Sequence, residues 1–298
     1  MMAIKDLPTE QRNQNTLHID QMSTLEMVET INQEDQKVAS AVASQKQQIA
    51  HAIDLASANY HAGGRLIYIG AGTSGRLGVL DAAELVPTYG IDPKQAIGLI
   101  AGGQGAMYQA VEGAEDSQIL AKKDLQDLHL SAKDVVIGLA ASGRTPYVIG
   151  GLKYANECGA ATISIACVSG SLIGQNSQVA IEAVVGPEVI TGSTRMKAGT
   201  AQKMILNMIS TAVMIKQGKV YQNVMIDVLP TNEKLVDRAQ RIIQTCTGVS
   251  YEQAQQLLQS AQMNVGLAIV MAKSGLDKDQ AEKLLAENDG NVSRVLEK

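Results

Sequence analysis

Apolar residues recur along this chain in two rhythms. Between residues 23 and 60, Leu25, Val28, Ile31, Val38, Val42, Ile49 and Ile53 fall at spacings of three or four residues or their multiples. That one-sided stripe predicts one or two long helices packed on the core or on a partner subunit. Gly63 and Gly64 end the stretch, and the pattern changes to short apolar runs at 66–70, 96–101, 135–140, 162–168 and 179–185. The run at 135–140 is near-continuously apolar, as a strand buried on both faces is. Alternation of such runs with helical segments predicts an α/β fold with a doubly wound, mainly parallel sheet. One intervening helical segment carries Glu112, Glu115 and Asp116, another begins near Pro146, and a long apolar helix runs from about 197 to 216. An edge strand over 221–229, closed by Pro230, and a helix over 231–246 complete the first domain, 1–248. Beyond Gly248 the chain turns Gln-rich, with three short helical runs and turns near Asn264 and Gly275; residues 249–298 read as a separate small helical module. The polar first 20 residues favour a flexible arm over a segment folded across a site.

The run at 66–70 leads into Gly70-Ala71-Gly72-Thr73-Ser74-Gly75-Arg76 and then into a helix-compatible stretch through Glu84. A strand, a Gly/Ser turn and a helix in that order make an anion site, because first-turn N–H groups and the helix dipole face the ligand. No Lys-Ser/Thr pair closes the turn as in a Walker loop, and the acid a dinucleotide fingerprint needs further on is not clear. A tight, capped turn without a ligand would look similar. The case for a ligand is that the chain repeats the device at Ala141-Ser142-Gly143-Arg144-Thr145-Pro146. In parallel sheets ligands sit beyond the carboxyl ends of the strands, where several such turns converge.

Charge and composition narrow the classes. The 298 residues carry 30 acids against 25 bases, for a net −5, without a basic block; nucleic acid is an unfavourable partner. Cys158, Cys167 and Cys246 are scattered without metal-ligand spacing, so no metal site is expected and the thiols read as structural. The polar N-terminus lacks a signal-peptide core and no run reaches ~18 apolar residues, which argues for a cytoplasmic protein that does not enter a membrane. With no Trp or Phe, a bound sugar would be held by hydrogen bonds and charge.

Taken together, the ordered blocks resemble the N-acetylmuramic acid 6-phosphate etherases of the sugar isomerase (SIS) superfamily. The blocks are Thr9-Glu10-x-Arg12-Asn13, the Gly70–Arg76 turn through Ala83-Glu84, and Glu112-Gly113-Ala114-Glu115-Asp116. They continue with Ala141–Tyr147, Gly192-Ser193-Thr194-Arg195-Met196-Lys197-Ala198-Gly199-Thr200 and Thr231-Asn232. The tail is similar, more weakly, to a ubiquitin-associated-like module. The resemblance implies a homodimer without metal or cofactor that releases D-lactate from a sugar phosphate, with Glu84 and Glu115 as catalytic acid and base.

The residues suit that chemistry. With the sugar ring open, the C1 aldehyde acidifies the C2 proton, and the C3 ether can leave by elimination before water adds back. Two carboxylates in different environments can divide the acid and base work. Glu84, flanked by Ala82, Ala83, Leu85 and Val86, is expected to be buried, with its pKa raised, as the acid. Glu115, beside Asp116, is the expected base, although the roles could be reversed and either could be a solvated helix carboxylate. Ser142, Ser74 and Thr145, assisted by Thr73 and Gly143, are the expected phosphate ligands. Arg76, Arg144, Arg195 and Lys197 are candidates for the charge complement of phosphate or lactyl carboxylate. An unbroken helix would carry Glu84 roughly 14 Å from Gly75, so either the helix ends before Pro87 or the site spans a dimer. Rival readings are a sugar-phosphate sensor without turnover and an aldose–ketose isomerase, which lactate release would exclude.

Overall fold

Five of the apolar runs become one parallel sheet: β1 (Leu66–Gly70), β2 (Ala96–Ile100), β3 (Val135–Leu139), β4 (Ala161–Ala166) and β5 (Val179–Glu182). Their spatial order is β2-β1-β3-β4-β5. The structure, a computed structural model, describes residues 7–227 and 232–297. It divides into two units, one of residues 7–83 and 93–210 and one of residues 84–92 and 211–297.

In the first unit the sheet residues alternate between two covered faces, which is why their sequence is almost wholly apolar. Ile67, Ile69 and Val136 join Tyr147, Val148 and Leu152 of α5 (Pro146–Glu157) and Ala121 and Leu125 of α4 (Gln118–Asp127). Full burial of such a side chain contributes about 1.5–3 kcal/mol before chain entropy is counted. Tyr68 points the other way, beside Asp81 of α3 (Gly72–Tyr89). At the amino ends of the strands, Asp134 accepts from the Arg65 backbone N–H at 3.0 Å and from its guanidinium Nη2 at 2.7 Å. Burial raises the Asp134 carboxyl, but the Arg65 guanidinium and the Ser131 amide outweigh it and hold the pKa below its ordinary value.

The long N-terminal helices are α1 (Thr24–Ala43) and α2 (Lys46–His61). Ser23 starts α1 through a capping box, its Oγ accepting from the Glu26 N–H while Glu26 accepts from the Ser23 N–H at 2.7 Å. Val38, Val42 and Ile49 of the expected stripe are buried, but Leu25 and Val28 are 67% and 58% exposed. From Leu7 onward the segment expected to be a loose arm is ordered, while residues 1–6 lie outside the described residues. Residues 7–21 make three short 3-10 turns, anchored where Asn13 Nδ2 donates to Pro187 O at 3.2 Å and Thr16 Oγ1 to Val189 O at 2.8 Å.

The second unit has its own core. Tyr221 and Ile226 pack with residues from α7 (Glu233–Thr247), α8 (Tyr251–Ser260), α9 (Val265–Ser274), α10 (Lys278–Ala286) and α11 (Val292–Leu296). The helical unit therefore takes in residues from 211 onward, and a boundary at 248 would cut through its apolar cluster. The strand expected over 221–229 is instead a small hairpin, with β6 (Val220–Tyr221) antiparallel to β7 (Val224–Met225); residues 228–231 lie outside the described residues.

Candidate active site

β1 and β3 are neighbours, while the chain leaves β1 through α3 to reach β2 on the opposite side. The carboxyl ends of β1 and β3 therefore flank a topological switch point. The register pairs Gly70 with Leu139, so the 70–76 turn and the 141–146 turn emerge side by side. This adjacency is what their similarity in sequence anticipates.

Helix α3 opens at Gly72, and its first amides lack intrahelical carbonyl partners. Gly75 makes the tight start possible: a Cβ there would lie 2.7 Å from Gly70 O and 2.7 Å from Ile100 Cγ1. Ser74 is buried and donates its hydroxyl to Gln202 Oε1 at 2.8 Å, while Thr73 is half-buried. In the second turn Ser142, Arg144 and Thr145 are half-buried, Gly143 is buried, and Thr145 precedes α5 without capping it through its hydroxyl. The Ser74 hydroxyl is thus taken by Gln202, and the Gly143 amide by Ala140 O at 2.9 Å, while Ser142 keeps its place in a cavity wall.

Two cavities flank these turns. One, of about 160 Å³, is lined by Gly72, Arg76, Glu112 and Glu115. The other, of about 230 Å³, is lined by Leu7, Ser142, Gly143, Arg144 and residues 168–172. Ser171 in the second wall is fixed by Glu182, whose carboxylate accepts from the Gly170 and Ser171 N–H groups at 2.7 and 2.8 Å. The structure thus brings Glu115 to the Gly72 turn, and places Ser142, Gly143 and Arg144 in a neighbouring wall.

Glu115 does not sit on a regular helix as expected. The segment is irregular, and Glu115 is exposed within a 3-10 turn, Ala114–Asp116. Glu84 is exposed as well, so the burial expected to favour its protonated form is missing. Helix α3 does not end early: it continues through Pro87 to Tyr89, and Glu84 falls in the second unit. Arg195 is exposed and lines neither of the two cavities.

Lys197 is the clearest correction. It is 1% exposed, and its Nζ donates to Glu34 Oε2 at 2.7 Å, so its charge is satisfied inside the first unit and not presented to a ligand. Burial raises the Glu34 carboxyl, but Lys197, Lys37 and Asn15 together hold it down to about 2. Glu188 was passed over in sequence. It caps α6 (Lys197–Lys216) by accepting from the Lys197 and Ala198 N–H groups at 3.0 and 2.9 Å. An acid nine residues ahead of a long apolar helix is the signal in the sequence. Among the described residues no helix is long and apolar enough to cross a membrane.

Comparison with known proteins places this architecture. Residues 48–156 match the N-terminal SIS domain of glucokinase regulatory protein, 111–212 match the SIS domain, and 222–265 match the C-terminal lid domain of glucokinase regulatory protein. A phosphoheptose isomerase from Francisella tularensis superposes with a TM-score of 0.50 at 11% identity, covering 65% of this chain and 100% of that one; this likeness concerns the fold alone. An N-acetylmuramic acid 6-phosphate etherase of Lactobacillus gasseri is 71% identical over 297 residues, covering 100% of both chains. N-acetylmuramic acid 6-phosphate etherase 1 of Enterococcus faecalis is 56% identical over 295 residues, 99% of this chain and 98% of its own length. The chain belongs to the N-acetylmuramic acid 6-phosphate etherase family.

Proposed function

We propose that this chain is a carbon–oxygen lyase that cleaves the D-lactyl ether of N-acetylmuramic acid 6-phosphate, giving N-acetylglucosamine 6-phosphate and D-lactate in cell-wall sugar recycling. The observation that carries the reading is identity of 71% over the whole chain with a relative of that name. The paired turns at the β1/β3 switch point support it, since they supply the anion-binding amides and hydroxyls a sugar phosphate needs.

The phosphate is held by the first-turn amides of α3, those of Thr73 and Ser74 among them, and by Ser142 with Gly143 and Thr145; the Ser74 hydroxyl stays with Gln202. Arg144, and Arg195 from its exposed loop, add positive charge. Glu115 takes the C2 proton of the open-chain sugar. Lactate then departs from C3 with a proton from Glu84, and the C2–C3 double bond forms. Water adds its oxygen to C3, and a proton returns to C2. Lys197, engaged by Glu34, acts at one remove by fixing the start of α6. No metal or cofactor enters these steps.

The assembly is a homodimer in the cytoplasm. Leu25 and Val28, apolar yet 67% and 58% exposed on α1, are what a second copy would cover.

Release of D-lactate from N-acetylmuramic acid 6-phosphate by purified protein tests the reading. Tight sugar-phosphate binding without lactate would make the chain a sensor, and aldose–ketose interconversion without lactate would make it an isomerase.

A further inference from the structure

A substrate with a phosphate at C6 and a lactyl group at C3 presents two anions at separate points of one sugar. Resting on the etherase reading, we propose that Arg76 is the specificity-determining residue that receives the lactyl carboxylate, in the cavity it shares with Glu115.

The other cationic candidates are placed less well. Lys197 is buried against Glu34, Arg195 lines neither of the two cavities described, and Arg144 lines the wall that contains Ser142. Arg76 alone among them lines the cavity that also contains Glu115. Chemistry requires that proximity. The base that takes the C2 proton must stand next to C3, and so next to whatever holds the C3 substituent.

The guanidinium is already oriented. Its Nε donates to Met107 O at 2.9 Å and its Nη2 to Ala106 O at 2.8 Å. Of the five N–H donors of an arginine, those two bonds leave three, two of them on Nη1. The Nη1/Nη2 edge therefore remains for a bidentate carboxylate, the geometry an arginine fork supplies best. Two backbone carbonyls satisfy hydrogen bonds without neutralising charge. Glu112 and Glu115 line the same cavity, yet among the described residues neither is ion-paired to Arg76, so no carboxylate occupies the guanidinium. The volume, about 160 Å³, is close to that of a 150 Å³ cavity known to take the six carbons of benzene. Lactate also has six non-hydrogen atoms.

The test pairs N-acetylmuramic acid 6-phosphate with its lactyl amide, which keeps the ether and the shape but loses the charge. Lactate or lactamide release is measured for the wild type, Arg76→Lys and Arg76→Ala, with circular dichroism to verify folding. A charge-assisted fork predicts that the wild type prefers the acid by about 10–100-fold in kcat/KM. In Arg76→Ala the preference falls to within about 3-fold, mainly through KM for the acid, and Arg76→Lys recovers part of it. Equal losses on both substrates would overturn the proposal and leave Arg76 as a prop for residues 106–107. A wild type that cleaves acid and amide equally would overturn it whatever the variants do. A wild type that cleaves neither would instead remove the etherase reading on which the proposal rests.

Discussion

Lys197→Met is the substitution that most sharply separates the structural account of the buried ion pair from a ligand role. Glu34 and Lys197 are 2% and 1% exposed, and among the described residues the Asn15 amide and the half-exposed Lys37 share the Glu34 carboxylate with Lys197, with Asn13 nearby. Burial pulls the Glu34 carboxyl up, but its partners take it from 4.5 down to about 2. At 1.36 kcal/mol per pH unit this corresponds to roughly 3 kcal/mol of favourable interaction. That interaction is shared among all the partners of Glu34, whereas removing one member of a buried pair costs about 3–5 kcal/mol in other systems. Lys197→Met is predicted to destabilise the first unit by about 3 kcal/mol at pH 7. Adding Glu34→Gln should not add to that loss, because no uncompensated charge then remains. The sign with pH follows from the depressed carboxyl. Its stabilisation is complete above about pH 4.5 and is lost as pH falls toward 2, and in Lys197→Met that acid window flattens. Urea unfolding followed by circular dichroism, with hydrogen exchange at the α1 amides, measures both effects. A Lys197→Met protein as stable as the wild type but with KM raised tenfold would refute the reasoning and return Lys197 to the substrate.

Further outcomes follow from other contacts. Gly75→Ala forces a Cβ to within 2.7 Å of Gly70 O; it should weaken sugar-phosphate binding more than tenfold, as calorimetry would record, while β3 and β4 keep their exchange protection. Ser142→Ala should raise KM for the phosphorylated sugar by about tenfold and leave any residual affinity for the unphosphorylated sugar unchanged. Burial raises the Asp81 carboxyl, although the Ser210 hydroxyl donates to it at 3.1 Å and Tyr68 lies beside it. Its penalty is absent below the ordinary Asp range near 3.9 and grows as pH rises through the raised value; Asp81→Asn should remove that part of the pH dependence of unfolding.

Much of the sheet was legible because its information is local. The runs at β1 and β3 are apolar at every residue that faces a helix layer, and Pro146 marks the first turn of α5. The two glycine–hydroxyl turns could be read as partners before their adjacency was known. What escaped depends on distant residues. Asn13 and Thr16 look like members of a polar arm until their partners at Pro187 and Val189 are known. Lys197 resembles a ligand because nothing near it in sequence announces Glu34. The segment around Glu112 and Glu115 has helical composition, but Gly113 adopts φ +72°, a left-handed conformation that interrupts a helix. Glu84 has apolar neighbours in sequence but stands on an exposed face of α3, since a helix turns successive residues by about 100°.

The central claim is cleavage by elimination and water addition, with Glu115 as the base. The most direct measurement is the reaction of N-acetylmuramic acid 6-phosphate in deuterated water, with mass detection of product and recovered substrate, for the wild type, Glu84→Gln and Glu115→Gln. The account predicts D-lactate together with one deuterium at C2 of the N-acetylglucosamine 6-phosphate formed by the wild type. It predicts C2 exchange without lactate release for Glu84→Gln, and neither for Glu115→Gln. Lactate released by the wild type with no deuterium at C2 would contradict the account.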